Sequence, residues 1–150
     1  MINKKILLFL CFLILSNCGY EPIYSTKNLN FTIGKIDKSN TSLNNKFSKT
    51  INVLKNKNIE KKIDIKIESN REISIKSKDT KGNTLVFELE IILKVSSSSL
   101  NNNEVRSFSR KITYNNSDDK FKLRQYENEL ENILITKLVE DLINYLSNIE

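Results

Sequence analysis

The chain has 150 residues, with 24 Lys and Arg against 18 Asp and Glu, so its formal net charge is +6. That length suits one ordinary domain with a single hydrophobic core. The sequence contains no His, which excludes both Ser/His/Asp and Cys/His catalysis. Its acidic residues alternate with lysines, as they do on solvated faces. We therefore expect a protein that is not an enzyme and that binds no cofactor and no metal.

The first segment of the chain predicts export. Lys4 and Lys5 precede an unbroken apolar stretch of ten residues, 6–15. About 20 apolar residues are needed to cross a bilayer as a helix, so this stretch suits the apolar region of a signal peptide. We expect residues 1–17 to be a cleaved signal peptide, the alternative being an uncleaved membrane anchor. Export and dispersed charge together disfavour nucleic acid as a partner.

A cysteine follows the apolar stretch in a layout typical of lipoproteins. The tetrapeptide Leu15-Ser16-Asn17-Cys18 has the form of a lipobox, in which the Cys receives a diacylglycerol on sulfur and an acyl chain on its new amine. Asn17 stands where Gly, Ala or Ser is usual. We predict lipidation at Cys18, followed by a tether over residues 18–29. The alternative, a free thiol on a secreted protein, would be unusual.

Residues 30–150 carry the patterns of a sheet and two helices. Residues 31–36 alternate between apolar and polar and predict a first strand. The polar run 39–41 offers N-cap side chains for a helix, which Asn56 and Asn58 would end. The apolar face of that helix consists of Leu43, Phe47, Ile51 and Leu54.

The middle of the chain predicts long strands joined by a hairpin. Residues 63–69 and 72–79 alternate, and the polar run 68–70 allows either one strand or two with a turn between them. The run 79–83 predicts a hairpin turn, in which Gly82 can adopt a positive φ.

The next strands flank a polar loop. The odd-numbered positions of 85–95 are all apolar and predict one buried face of a strand. Residues 96–103 predict a mobile hairpin tip, and residues 105–114 predict the returning strand. Arg110 falls on the apolar parity of that strand, which predicts either a bulge or an edge position.

The last segment predicts a long amphipathic helix that starts after the polar run 117–119. Its apolar positions are Tyr126, Leu130, Ile133, Leu134, Leu138, Leu142, Tyr145, Leu146 and Ile149. The element order is β-α-β-β-β-β-α, or one strand fewer. The predicted fold class is α+β: a two-layer sandwich with an antiparallel or mixed sheet of four to five strands, covered by two amphipathic helices.

Residues 18–24 read Cys-Gly-Tyr-Glu-Pro-Ile-Tyr. This run resembles the CGF-x-P-LY opening of the lipopolysaccharide-assembly lipoprotein LptE family, particularly its alphaproteobacterial members. Tyr20 stands for the Phe, and Ile23-Tyr24 stands for Leu-Tyr. The predicted order of elements over residues 30–150 is similar to that of the family as well.

The resemblance implies a function in assembly without catalysis. A member of this family sits inside the outer-membrane β-barrel LptD as plug and scaffold and contacts lipopolysaccharide. The implied location is the outer membrane, lipid-anchored, either facing the periplasm or inside the barrel lumen. Arg106, Arg110 and Lys111, near the Asn-rich loop, are then the candidate lipopolysaccharide contacts. The alternative for these three residues is a solvated basic edge strand.

A second function remains open from the residues alone. A free-standing periplasmic lipoprotein could carry a lipid or another apolar ligand between its sheet and its helices. Such a carrier needs an enclosed apolar cavity, whereas a plug needs a filled core.

Overall fold

The computed structural model describes residues 29–55, 59–97 and 105–148. The elements are β1 (Thr32–Lys38), α1 (Ser42–Val53), β2 (Lys62–Lys78), β3 (Thr84–Ser96), β4 (Val105–Asn115) and α2 (Lys120–Asn148). The predictions of a signal peptide, of lipidation at Cys18 and of a tether lie outside the described residues, except for the last residue of the tether. So does most of the predicted loop 96–103.

The predicted fold class is confirmed. The described strands form one sheet in the order β1-β2-β3-β4, in which β1 and β2 are parallel and the other pairs are antiparallel. The parallel pair follows from α1, because a helical crossover returns the chain in the same direction, whereas tight hairpins reverse it. The sheet is therefore mixed, and both helices pack on one of its faces.

The polar run 68–70 is not a turn, and this corrects one of the two readings of the sequence. β2 continues straight through it, with Ser69 paired to Leu93 and Arg71 paired to Ile91 of β3. Both polar side chains point to the helix-bearing face, where polar partners on the helices satisfy them. The interruption in the apolar pattern therefore marks a polar contact between the layers. The described part of the chain therefore has four strands and two helices, which follow one another in the order β-α-β-β-β-α.

The helix ends follow local hydrogen bonding. The Thr41 hydroxyl accepts a hydrogen bond from the Asn44 amide at 3.2 Å and caps α1, as predicted. α1 ends at Val53, earlier than the predicted stop at residues 56–58. The Asp119 carboxylate accepts hydrogen bonds from the amides of Phe121 and Lys122 at 3.1 Å each, which begins α2. The bond from Lys122 is the main cause that lowers the pKa of Asp119.

The core lies between the sheet and the helices. Most of the apolar positions predicted from the alternation and the helical period are buried. The fully buried side chains are Phe31, Phe47, Ile51, Ile67, Leu89, Ile91, Leu93, Ile135, Leu138, Val139, Leu142 and Leu146.

The hairpin between β2 and β3 extends beyond this core. Gly82 adopts the predicted positive φ of 87° in its turn, and the Asp79 carboxylate accepts hydrogen bonds from the amides of Lys81 and Asn83. Ile75 and Leu85 are 51% and 49% exposed although they fall on the apolar parity of their strands. The apolar face is therefore covered along most of its length but not at the hairpin end.

Candidate functional site

The three predicted basic residues lie on β4, which is an edge strand of the described sheet. Arg106 and Arg110 share the parity of Phe108 and contact α2. Lys111 projects from the opposite face, where it pairs with Glu90. The structure therefore places two of the side chains against the helix and the third on the open face of the sheet.

Arg110 is held by a bidentate ion pair. Its Nε and Nη2 atoms donate to Asp141 of α2 at 2.8 and 2.7 Å. The register between β3 and β4 shows no bulge, so the edge position explains how Arg110 fits on the apolar parity. The hydrogen bonds and the charge of Asp141 raise the pKa of Arg110.

Arg106 contacts the last turns of the same helix. Its Nε atom donates to the Tyr145 hydroxyl at 3.1 Å, and its guanidinium carbon lies 5.3 Å from the centre of the Tyr145 ring. The Tyr145 ring packs edge-on against Phe108, with centroids 5.8 Å apart. The two arginines thus help to hold α2 on β4, which is a structural role that sequence reasoning did not assign.

Lys111 belongs to a set of ion pairs across the open face. Its Nζ atom lies 2.9 Å from Glu90 and 3.9 Å from Glu88, and Lys76 lies 2.9 Å from Glu88 on the other side. The hydrogen bond and charge of Glu90 raise the pKa of Lys111. An anionic ligand at Arg110 or Lys111 would have to compete with carboxylates that these residues already contact.

Sequence reasoning missed a buried carboxylate at the centre of the molecule. Glu131 of α2 is only 7% exposed, and its oxygens lie 2.6 Å from Lys46 of α1 and 2.9 Å from Arg71 of β2. Arg71 also lies 3.4 Å from Glu127, one helical turn earlier. We refer to Lys46, Arg71, Glu127 and Glu131 as the central ion cluster.

Tyr114 extends the central ion cluster to β4. Its hydroxyl donates to Glu127 at 2.6 Å, and its ring stacks on Phe87 with centroids 5.5 Å apart. Burial of the ring and, after it, the hydrogen bond to Glu127 raise the pKa of Tyr114 well above its ordinary value.

A second polar contact fixes the start of α1 on the sheet. The Ser69 hydroxyl donates to Asn44 Oδ1 at 2.5 Å, and Asn44 Nδ2 donates to Ser39 Oγ at 2.8 Å. The sequence did carry a signal for these contacts. Ser69 and Arg71 share the inward parity of β2, and Glu127 and Glu131 are one turn apart on the apolar face of α2.

The central ion cluster has a structural role. Its carboxylates are neutralised by Lys46 and Arg71 at close range. In the part of the chain that the structure describes, no group of His, Cys, Asp and Glu side chains is placed to hold a metal ion.

The apolar cavity beside the core is very small. It holds about 10 Å³ between β1, α1 and α2 and is lined by Leu29, Phe31, Ile51, Ile143 and their neighbours. That is room for about one water molecule and not for an acyl chain. Two open grooves of about 420 and 540 Å³, lined mainly by charged and polar residues, flank β1.

Neither described helix has the length and apolarity that would let it cross a membrane.

The fold is shared with bacterial lipoproteins of known structure. Rare lipoprotein B from Shewanella oneidensis superposes with a TM-score of 0.55 at 17% identity, over 78% of this chain and 96% of that one. An uncharacterized lipoprotein B from Nitrosomonas europaea gives 0.59 at 13% identity, over 85% and 91%. A minor lipoprotein from Acinetobacter baumannii gives 0.57 at 13% identity, over 80% and 95%.

No known protein family and no curated protein matches the sequence itself. At these identities the structural matches establish the fold and not the activity. The chain therefore shares the fold of rare lipoprotein B and of the other matched lipoproteins, and the matches cover 91–96% of their lengths.

We expect Glu131→Ala to lower the free energy of unfolding by about 1–3 kcal/mol, because it leaves Lys46 and Arg71 without their buried partner. The control is Glu129→Ala on the exposed face of the same helix. This change should alter the free energy of unfolding by less than about 0.5 kcal/mol. Urea unfolding measures both. Equal losses in the two variants would show that the central ion cluster is not a stabilising contact.

Tyr114 also predicts a pH dependence of stability. Because the pKa of Tyr114 is raised in the folded state, an unfolded chain releases this proton first, from about pH 10 upward. The stabilisation is therefore complete below pH 10 and declines as the pH rises above it. Urea unfolding at pH 9 and pH 11 should show a smaller decline for Tyr114→Phe than for the unmodified chain. If the decline were unchanged in Tyr114→Phe and smaller in Tyr126→Phe, whose side chain is exposed, the assignment of the pH dependence to Tyr114 would be wrong.

Proposed function

We propose that this chain is an LptE-type lipoprotein, a non-catalytic plug and scaffold for an LptD-type β-barrel that delivers lipopolysaccharide to the outer-membrane surface. The observation that carries the proposal is the conjunction of two independent features. Residues 18–24 resemble the family opening, and the described fold is that of rare lipoprotein B, which is another name for LptE.

The filled core supports a plug over a carrier. The described apolar cavity beside the core, of about 10 Å³, is too small for an acyl chain. The alternative of a free-standing lipid carrier has no comparable support from the described residues.

The surface is suited to a polar environment. On the open face of the sheet, lysines and glutamates of three adjacent strands alternate in sign, as the contacts of Glu88 with Lys76 and Lys111 illustrate. The lumen of an outer-membrane barrel is polar, unlike its lipid-facing exterior. A sheet face with these alternating charges can lie against such a lumen wall.

The anchor completes the proposal. Signal peptide 1–17 would be removed, and the lipids on Cys18 would hold the protein at the outer membrane through the tether of residues 18–29. Several acyl chains on one residue give effectively permanent attachment, since each buried methylene contributes about 0.8 kcal/mol.

The association with the barrel is tested by co-purification. We expect a tagged form of this protein, extracted in mild detergent from its own cells, to bring down an LptD-type barrel in a stoichiometric amount. A soluble form with Cys18→Ser serves as the control for capture through shared lipid. Recovery of the tagged lipoprotein without the barrel under these conditions would contradict the proposal.

The candidate lipopolysaccharide contacts are tested by neutralising Arg106, Arg110 and Lys111 to Gln. If phosphates of lipopolysaccharide bind these residues, the affinity should fall about tenfold or more, because charge-assisted hydrogen bonds are lost. The matched control neutralises the exposed Lys78, Lys81 and Lys137. Circular dichroism checks that both variants fold. If the affinity of the first variant for lipopolysaccharide is unchanged, these residues do not bind it. Their role is then limited to the structural contacts of the edge strand described above.

A further inference from the structure

One end of the sheet collects the chain segments closest to the proposed anchor. Thr32 at the start of β1 pairs with Lys62 at the start of β2. Ser96 at the end of β3 pairs with Lys66 of β2 and with Val105 at the start of β4. The first described residue, Leu29, precedes β1, so the tether joins the domain at this end.

The opposite end of the sheet lies far away. β2 has 17 residues between Lys62 and Lys78, which at about 3.3 Å per residue corresponds to roughly 50 Å. The hairpin turn at 79–83 closes that distal end. The domain is therefore elongated along its strands, with a tether end and a hairpin end.

Three lysines converge at the tether end. Lys35 of β1, Lys55 after α1 and Lys62 of β2 line the same open groove of about 540 Å³, which also contains one carboxylate, Asp64. We refer to Lys35, Lys55 and Lys62 as the tether-end lysines. Among the described residues, no carboxylate lies within 4 Å of the Lys35 or Lys62 amine. By contrast, Lys66, which lines the neighbouring groove, lies 3.2 Å from Glu68.

The carboxylate in this groove is already used by the backbone. Asp64 Oδ1 accepts a hydrogen bond from the Lys35 amide at 2.6 Å. This close approach requires Gly34, since a Cβ at that position would lie 2.3 Å from the same oxygen. Lys55 donates to the Gly34 carbonyl at 2.5 Å, which fixes its amine at the groove. The groove is therefore shaped by the fold and keeps an excess of positive charge.

The position of the groove limits what can face it. Residues 19–28 separate Cys18 from Leu29, and even a fully extended chain between these two residues spans at most about 40 Å. A lipid on Cys18 would thus hold the tether-end lysines within reach of the headgroup layer of the membrane. Lysines close to anionic headgroups are attracted to them within about one Debye length.

We infer that the tether-end lysines form a docking surface for the anionic phospholipid headgroups of the leaflet that holds the lipid anchor. This inference rests on the anchor at Cys18 of the proposed function, but not on the barrel. Docking would hold the tether end at the headgroup layer of that leaflet, with the hairpin at the opposite end of the domain. The phosphate groups of the lipid layer supply the complementary charge.

The experiment uses the chain from residue 18 onward with Cys18→Ser, so that neither lipid nor barrel contributes. Its co-sedimentation is measured with vesicles of phosphatidylcholine alone and of phosphatidylcholine with phosphatidylglycerol. We expect binding to the anionic vesicles only, weakened by added salt. The variant Lys35→Glu with Lys62→Glu should bind at least about tenfold more weakly. Both positions are exposed, so the change avoids the core.

The matched control is Lys78→Glu with Lys81→Glu, which changes the net charge equally at the hairpin end. It should keep nearly all of the vesicle binding. Equal losses of binding in the two variants would show a general charge effect and would overturn the inference. Equal binding of the unmodified chain to both kinds of vesicle would overturn it too. Because no barrel is present, either failure leaves the co-purification test of the proposed function unaffected.

Discussion

The four-stranded sheet has one apolar face, and covering that face with two helices is the constraint on which the rest of the structure depends. α2 lies against β3 and β4, and α1 lies against β1 and β2. The helices meet above β2, where Glu131 joins Lys46 of one helix to Arg71 of the strand. A single buried carboxylate of α2 thereby links that helix both to α1 and to the sheet.

Polar contacts between the layers give this packing its specificity. An apolar face allows a helix to slide, because hydrophobic burial is not directional. The Ser69–Asn44 hydrogen bond and the Arg110–Asp141 ion pair each fix one helix at one position along a strand. Leaving such polar groups without their partners costs free energy. These contacts therefore disfavour other positions of the helices along the strands.

Much of the fold could be predicted because period-2 and helical patterns dominate the sequence. The buried positions of β3 and the capped start of α1 follow directly from those patterns. The uninterrupted course of β2 could not be assigned, because Ser69 and Arg71 are polar at inward positions and their partners lie far along the chain. For the same reason the place of Glu131 on the apolar face of α2 did not identify its partners Lys46 and Arg71. Of the candidate site, the edge position of Arg110 was among the expected possibilities, but its pairing with Asp141 was not.

Two surfaces of the domain suit two different proposed contacts. The face with alternating charges suits enclosure in a polar lumen, and the tether-end lysines suit a headgroup layer. The proposal that this chain is a lipoprotein supporting an LptD-type barrel can be tested by depleting the protein from its own cells. We expect the amounts of folded barrel and of surface-exposed lipopolysaccharide to fall together, and re-expression of the lipidated chain to restore both. Unchanged amounts of both after full depletion would contradict the proposal.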